Sequence, residues 1–240
     1  PPPPPPPPPP FFFQPHAGTP DPLWSRGLGD VYKRQQRATI RHPGIGAWYH
    51  KFSGKLNPTL PASVFVGKES RFHGSGGFFE PEFEPLAINE PQSGLKYARA
   101  MVNKSRFERR LNLTTDIDAE FLKRYHSKPI RAYGHMYADA VRLMESPDLE
   151  AFNIHKEDTK TKERYGTEPF GQGCLLARRL VERNVRTVEV SYGGWDTHQN
   201  NFTTLPELCH TMDQAVAASV SYTHLRAHET REDRRWPIGL

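Results

Sequence analysis

Asp196 and His198 stand two residues apart at the end of the stretch RTVEVSYGGWDTH, Arg186–His198. In an extended segment, residues two apart project to the same side. A carboxylate and an imidazole so placed are a donor pair for a divalent metal, zinc or calcium, that acts as a Lewis acid or activates water. A catalytic zinc takes at least three protein donors, and this segment supplies two. On spacing alone a second reading stays open, in which Asp196 caps the turn after Gly194 and His198 is an exposed loop residue. No nucleophile is defined. Ser191 and Thr197 carry hydroxyls nearby, but neither a G-x-S-x-G elbow nor a Cys–His pairing supports them.

The pair needs an element to hold it. Val188, Val190 and Tyr192 alternate with Thr187, Glu189 and Ser191, the period of a strand, and Gly193-Gly194 ends that strand in a loop. Ligands of open α/β sheets gather outside the carboxyl ends of strands, which is where an Asp-x-His after Gly-Gly would lie. The preceding helix is expected to start at Thr167-Glu168-Pro169, with Phe170, Cys174, Ala177 and Val181 on one face and Asn184 in the left-handed terminal position. Helix and strand are then joined within three residues, so the strand is expected to be central in a parallel sheet.

The same cadence appears upstream. His42–Gly54 reads as a short amphipathic helix carrying Ile45, Trp48, Tyr49 and Phe52, and Ser63–Gly67 as a buried strand. Glu69–Leu86 reads as a loop. Its Gly74, Gly76 and Gly77 lack the spacing and the Lys of a phosphate loop, and its His73 is a ligand on residue type alone. Phe107–Leu113 and Asp116–Ser127 are expected as two helices, and a third from Pro129 places Ile130, Tyr133, Tyr137, Val141 and Met144 on a core face. His126 and His135 read as hydrogen-bonding residues. Asn153–Arg164 reads as a loose charged stretch, and a last helix from about Pro206 carries Leu205, Leu208, Met212 and Val216.

Composition bounds the partners. The chain has 240 residues, is 36% hydrophobic and carries a formal charge of +5, which describes one soluble domain with tails. Its basic residues are interleaved with acidic ones, as in Arg106, Glu108, Arg109 and Arg110, so nucleic acid is not an expected partner. No apolar run is long enough for a transmembrane segment. Cys174 and Cys209 have no metal or framework spacing and read as two buried thiols.

The ends read differently. Pro1–Pro10 followed by three phenylalanines cannot build a packed core. SRGLGDVYKRQ, Ser25–Gln35, and VSYTHLRAHET, Val220–Thr230, are what a transposase-based sequencing adapter and its reverse complement encode. The expected organisation is therefore a non-native segment 1–35, a domain at 36–219 and an adapter-derived tail 220–240, with disordered ends.

The run FGQGCLLARRLVERNVRTVEVSYGGWDTHQNNF, Phe170–Phe202, resembles the hallmark segment of the DUF1501 family, bacterial proteins of the alkaline phosphatase/sulfatase-like superfamily. HPGIGAW at His42–Trp48, LPASVFVG at Leu60–Gly67, GSGGFFEPEFEPL at Gly74–Leu86 and ERYG at Glu163–Gly166 are similar to it as well. The resemblance implies an α/β fold, an incomplete α/β/α sandwich with a mostly parallel sheet. It also implies a divalent-metal site to which Asp196 and His198 contribute, a small-molecule or glycan ester as substrate, and an exported or periplasmic location. The superfamily's remaining metal and nucleophile motifs are expected before residue 36 and after residue 219, so the chain is expected to be the middle of an enzyme.

Overall fold

Ser63–Val66 (β1) is buried at every position, and a strand so buried must be covered on both faces and paired on both edges. The computed structural model describes residues 41–68, 75–125 and 128–230, with side chains except at 128–130 and 224–230. Contacts divide the chain after Thr39, and all described residues lie in the second unit, Ile40–Leu240. The expectation for His73 and His126 lies outside the described residues.

β1 is the middle strand. It pairs in parallel with Leu86–Ile88 (β2) on one edge and with Thr187–Val190 (β3) on the other, in the order β2-β1-β3. β3 was expected to be central. Among the described strands it is an edge, and its four residues are only half-buried. β2 starts at the last residue of the expected loop Glu69–Leu86, and no strand was expected there, because three residues are too few to show a period.

Two glycines set the layers. Ser63 and Val66 are an odd number of residues apart and so point to opposite faces. Against Ser63 and Thr187 lies Gly46 of the helix Ile45–Ser53 (α1), and against Val66 and Val190 lies Gly173 of the helix Pro169–Glu182 (α5). The result is a mixed α/β arrangement, a three-stranded parallel sheet with a helix on each face. A Cβ on Gly173 would sit 3.1 Å from a methyl carbon of each valine, so the glycine is what lets α5 lie this close.

That close approach decides which helix faces are buried. In α1 the inward residues are Gly46 and Ala47, while the apolar set Ile45, Trp48, Tyr49 and Phe52 is exposed, Phe52 by 76%. Trp48 stacks on Phe52 and meets Phe79 edge to face, so the outward set makes its own aromatic cluster. In α5 the buried apolar residues are Leu175, Leu176 and Leu180, and the expected core residue Val181 faces out. These leucines pack with Val64, Val66, Ile88, Phe152 and Ile154, each fully or almost fully buried. Each such burial stabilises the fold by roughly 1.5–3 kcal/mol.

The remaining helices frame this core. Lys104–Arg124 (α2) is one helix rather than two, started by the Asn103 side chain accepting from the Arg106 N–H. Lys128–Glu145 (α3) buries Ala132 and Leu143, while Tyr133 and Tyr137, expected in the core, are exposed. A 3₁₀ turn at Pro147–Phe152 follows α3, and the stretch expected to be loose, Asn153–Arg164, holds a second at Ile154–Lys156 and most of the helix Thr159–Tyr165 (α4), which Asp158 caps. Asn201–Thr230 (α6) contains Pro206, begins earlier than expected and continues across residue 219. It packs on α4 and α5 and buries Ala215, with Met212 and Val216 exposed.

Candidate functional site

The three strands are parallel, so their carboxyl ends open on one side. β1 ends at Gly67-Lys68, β2 at Asn89-Glu90 and β3 at Ser191-Tyr192-Gly193, and these residues line a cleft of about 920 Å³. Its far wall is the amino end of α5, Glu168-Pro169-Phe170, and a 3₁₀ turn at Pro91–Ser93 closes it beside β2. The strand ends are held by backbone bonds: the Gly67 N–H donates to the Ile88 carbonyl at 2.9 Å and the Ser191 N–H to the Val66 carbonyl at 2.8 Å. Gly67 has φ +125°, and a side chain there would press on Ser191. Only glycine accepts that backbone without strain, so the β1 end can turn beside β3.

Aromatic contacts shape the β3 side. The Phe170 and Tyr192 rings stack with centroids 4.4 Å apart, and Trp195 meets Tyr192 edge to face at 5.6 Å. The Trp195 indole N–H donates to the Tyr192 carbonyl at 3.0 Å, which folds the loop back on the strand end. On the opposite wall, hydrogen bonds from Lys96 and then Ser93 hold the Glu90 carboxyl below its usual range. Ser191, weighed above for its hydroxyl, lines the cleft. Thr197 bonds Asn201 instead.

Asp196 and His198 lie past this cleft, in the loop between β3 and α6. Asp196 Oδ1 and His198 Nδ1 are 3.5 Å apart, and the two side chains are 87% and 79% exposed. The structure thus brings the pair together on one side of the loop, as the spacing predicts. Neither residue lines the cleft. In donor type the pair suits a divalent metal; in number it does not, because no group of three His, Cys, Asp or Glu that could hold an ion occurs among the described residues. The described residues therefore supply two donors and no closed site, and no reaction step can be drawn through a metal from them.

Several cleft residues carry no signal in sequence. Asn89 and Gln92 follow β2, and locating them required that strand, whereas Lys68 follows the strand expected at Ser63–Gly67. Phe170 belongs to the expected helix start, but its contact with Tyr192 depends on how α5 meets β3.

Among the described residues no helix is long and apolar enough to cross a membrane. No curated protein and no solved structure matches the chain. The model of one family does match, described as "Protein of unknown function (DUF1501)", and since the match runs over residues 24–222 the chain belongs to the DUF1501 family.

Proposed function

We propose that the parent protein is a metal-dependent hydrolase of the alkaline phosphatase/sulfatase-like superfamily, acting on a phosphoric or sulfuric ester of a small molecule or glycan. The sheet is then the described part of an α/β/α sandwich of that type. The observation that carries this reading is the convergence of Asp196 and His198, 3.5 Å apart, in the loop that follows the carboxyl end of a parallel strand. A bound divalent ion would polarise the ester oxygen and lower the pKa of the attacking group. Asp196 and His198 would hold two of its positions, and further donors would have to come from outside the described residues. Exposure of both side chains leaves them accessible to such donors.

Elemental analysis of the parent protein tests this directly. Asp196→Ala is expected to lower the bound metal, and unchanged stoichiometry removes the residue from the site. Residues 36–219 alone are expected to bind metal weakly and to leave aryl phosphates and aryl sulfates intact. Robust turnover by that segment would overturn the expectation that it is inactive by itself. Assignment of 1–35 and 220–240 to assembly scars belongs to the same reading, and resequencing the locus through both junctions tests it.

A second reading is a non-catalytic envelope or partner-binding protein on the same scaffold. It is favoured by the lack of a third donor among the described residues. A parent gene whose remaining strand ends carry neither Asp, His nor a nucleophile would select it.

A further inference from the structure

We infer that the cleft at the carboxyl ends of the three strands binds a neutral saccharide, stacked along the Phe170–Tyr192 wall. Its volume of about 920 Å³ lies near the top of the range for small-ligand sites, with room for a short oligosaccharide. Charge argues against an anion in the cleft itself. The described lining carries Lys68 against Glu90 and Glu168, and Glu90 is already paired with Lys96 at 3.2 Å. Among the described residues, a phosphate or sulfate there would meet no surplus of positive charge.

The lining instead offers what a sugar needs. Asn89 and Ser191 provide an amide and a hydroxyl that both donate and accept, matching hydroxyls that do the same, while Gln92 and Ser93, which donate to the Thr167 carbonyl and to Glu90, keep oxygens that accept. The aromatic pair supplies the complement for the sugar's apolar side. Ring C–H bonds of a pyranose carry slight positive charge, and an aromatic face carries the opposite sign. An aliphatic wall would bury the same area without that match.

This site stands apart from the metal reading, because binding a sugar serves a binding protein as well as a hydrolase. That this neutral sugar unit belongs to a glycan whose charged ester lies outside the cleft and is cleaved does rest on the hydrolase proposal. Working in excess EDTA separates the two, since failure of the metal site then leaves saccharide binding intact.

The test titrates the full chain with cellotriose, maltotriose and chitotriose in EDTA, read by saturation-transfer NMR and tryptophan fluorescence. At least one trisaccharide is expected to bind, and Tyr192→Ala to weaken it about tenfold. Asn89→Ala, at an exposed position on the opposite wall, is expected to weaken it severalfold with the circular dichroism spectrum unchanged. Should Tyr192→Ala fail to fold, Asn89→Ala decides alone. The proposal is overturned if none of the three binds, or if Asn89→Ala binds as the parent chain does. It is equally overturned if inorganic phosphate binds without metal and is the ligand that Asn89→Ala loses.

Discussion

Gly46 of α1 lies so close to Ser63 of β1 that a Cβ on the glycine would fall well inside van der Waals contact distance of the Ser63 hydroxyl oxygen. Ser63 is itself buried, and the Thr187 hydroxyl borders the same point. Gly46→Ala is therefore expected to destabilise the chain by about 1–3 kcal/mol through overpacking, despite alanine's better helix propensity. Ser63→Ala removes the nearest atom, so the double variant should recover part of that loss. Urea midpoints for the four proteins of the cycle give the coupling, and simple additivity would show that the two residues do not meet.

Arg179 makes the corresponding tie on the other face. Its Nε donates to the Ala151 carbonyl at 3.1 Å, one terminal nitrogen to the Glu150 carbonyl at 2.9 Å, and the other pairs with Glu157. The Arg179 and Glu157 side chains are only 12% and 17% exposed. Truncation to Ala would leave a largely buried carboxylate unpaired and is expected to cost roughly 3 kcal/mol. Arg179→Lys should restore only part of it, since a single ammonium cannot span three acceptors in that geometry. Equal stability of the Lys variant and the parent would mean that charge alone matters here.

What the sequence reveals of this fold follows from which features are local. Asn184 at φ +64° and Gly54 at φ +64° end their helices as their residue types indicate, because a left-handed terminus is decided within one turn. β1 and β3 are legible from β-branched and aromatic residues. The buried face of α1 is not, because Gly46 and Ala47 make it and periodicity weighs Trp48 and Phe52 instead. Small residues are selected by distance to the sheet, a quantity no helical period contains. The edge position of β3 is likewise a matter of pairing. The Asp196–His198 juxtaposition is local and legible, whereas the cleft is assembled from three strand ends and a helix start and is not.

Acid should loosen the contact between the segment before β1 and the turn after α3. Asp148 accepts from the Thr59 hydroxyl and from the Asn57 amide at 3.1 Å, with Arg183 at 3.5 Å, and the first two of these lead in holding its carboxyl below the usual range. A folded-state pKa below the unfolded one adds stability above the unfolded value, about 3.9, that is lost as pH falls through the folded value. Asp148→Asn should thus be less stable than the parent at neutral pH, with the gap starting to narrow at about pH 4 and closing as pH falls through the lower folded value. Parallel curves across that range would exclude Asp148 as a source of acid lability.

The two cysteines should separate by reactivity. Burial pushes the Cys174 thiol up to about 11, whereas Cys209 is exposed. Thiolate is the reacting form, so a disulfide reagent near pH 8 is expected to modify Cys209 quickly and Cys174 only after denaturant is added. Cys209→Ser should abolish the fast phase. Two fast phases in the parent would show that α5 opens readily on the side that carries Cys174.

Asp196 and His198 invite the opposite expectation for stability. With side chains 87% and 79% exposed and paired with each other, they form a surface ion pair when the imidazole is protonated, and such pairs contribute little. Asp196→Ala and His198→Ala should each leave the unfolding free energy within about 0.5 kcal/mol of the parent. The capping reading makes a different prediction, since removing a side chain that caps backbone N–H groups costs about 1 kcal/mol. Thermal unfolding of both variants therefore separates the readings. A clear loss in the Asp196 variant alone would restore the structural role, whereas two neutral variants would mean that any change in bound metal or activity reports on the site rather than on the fold.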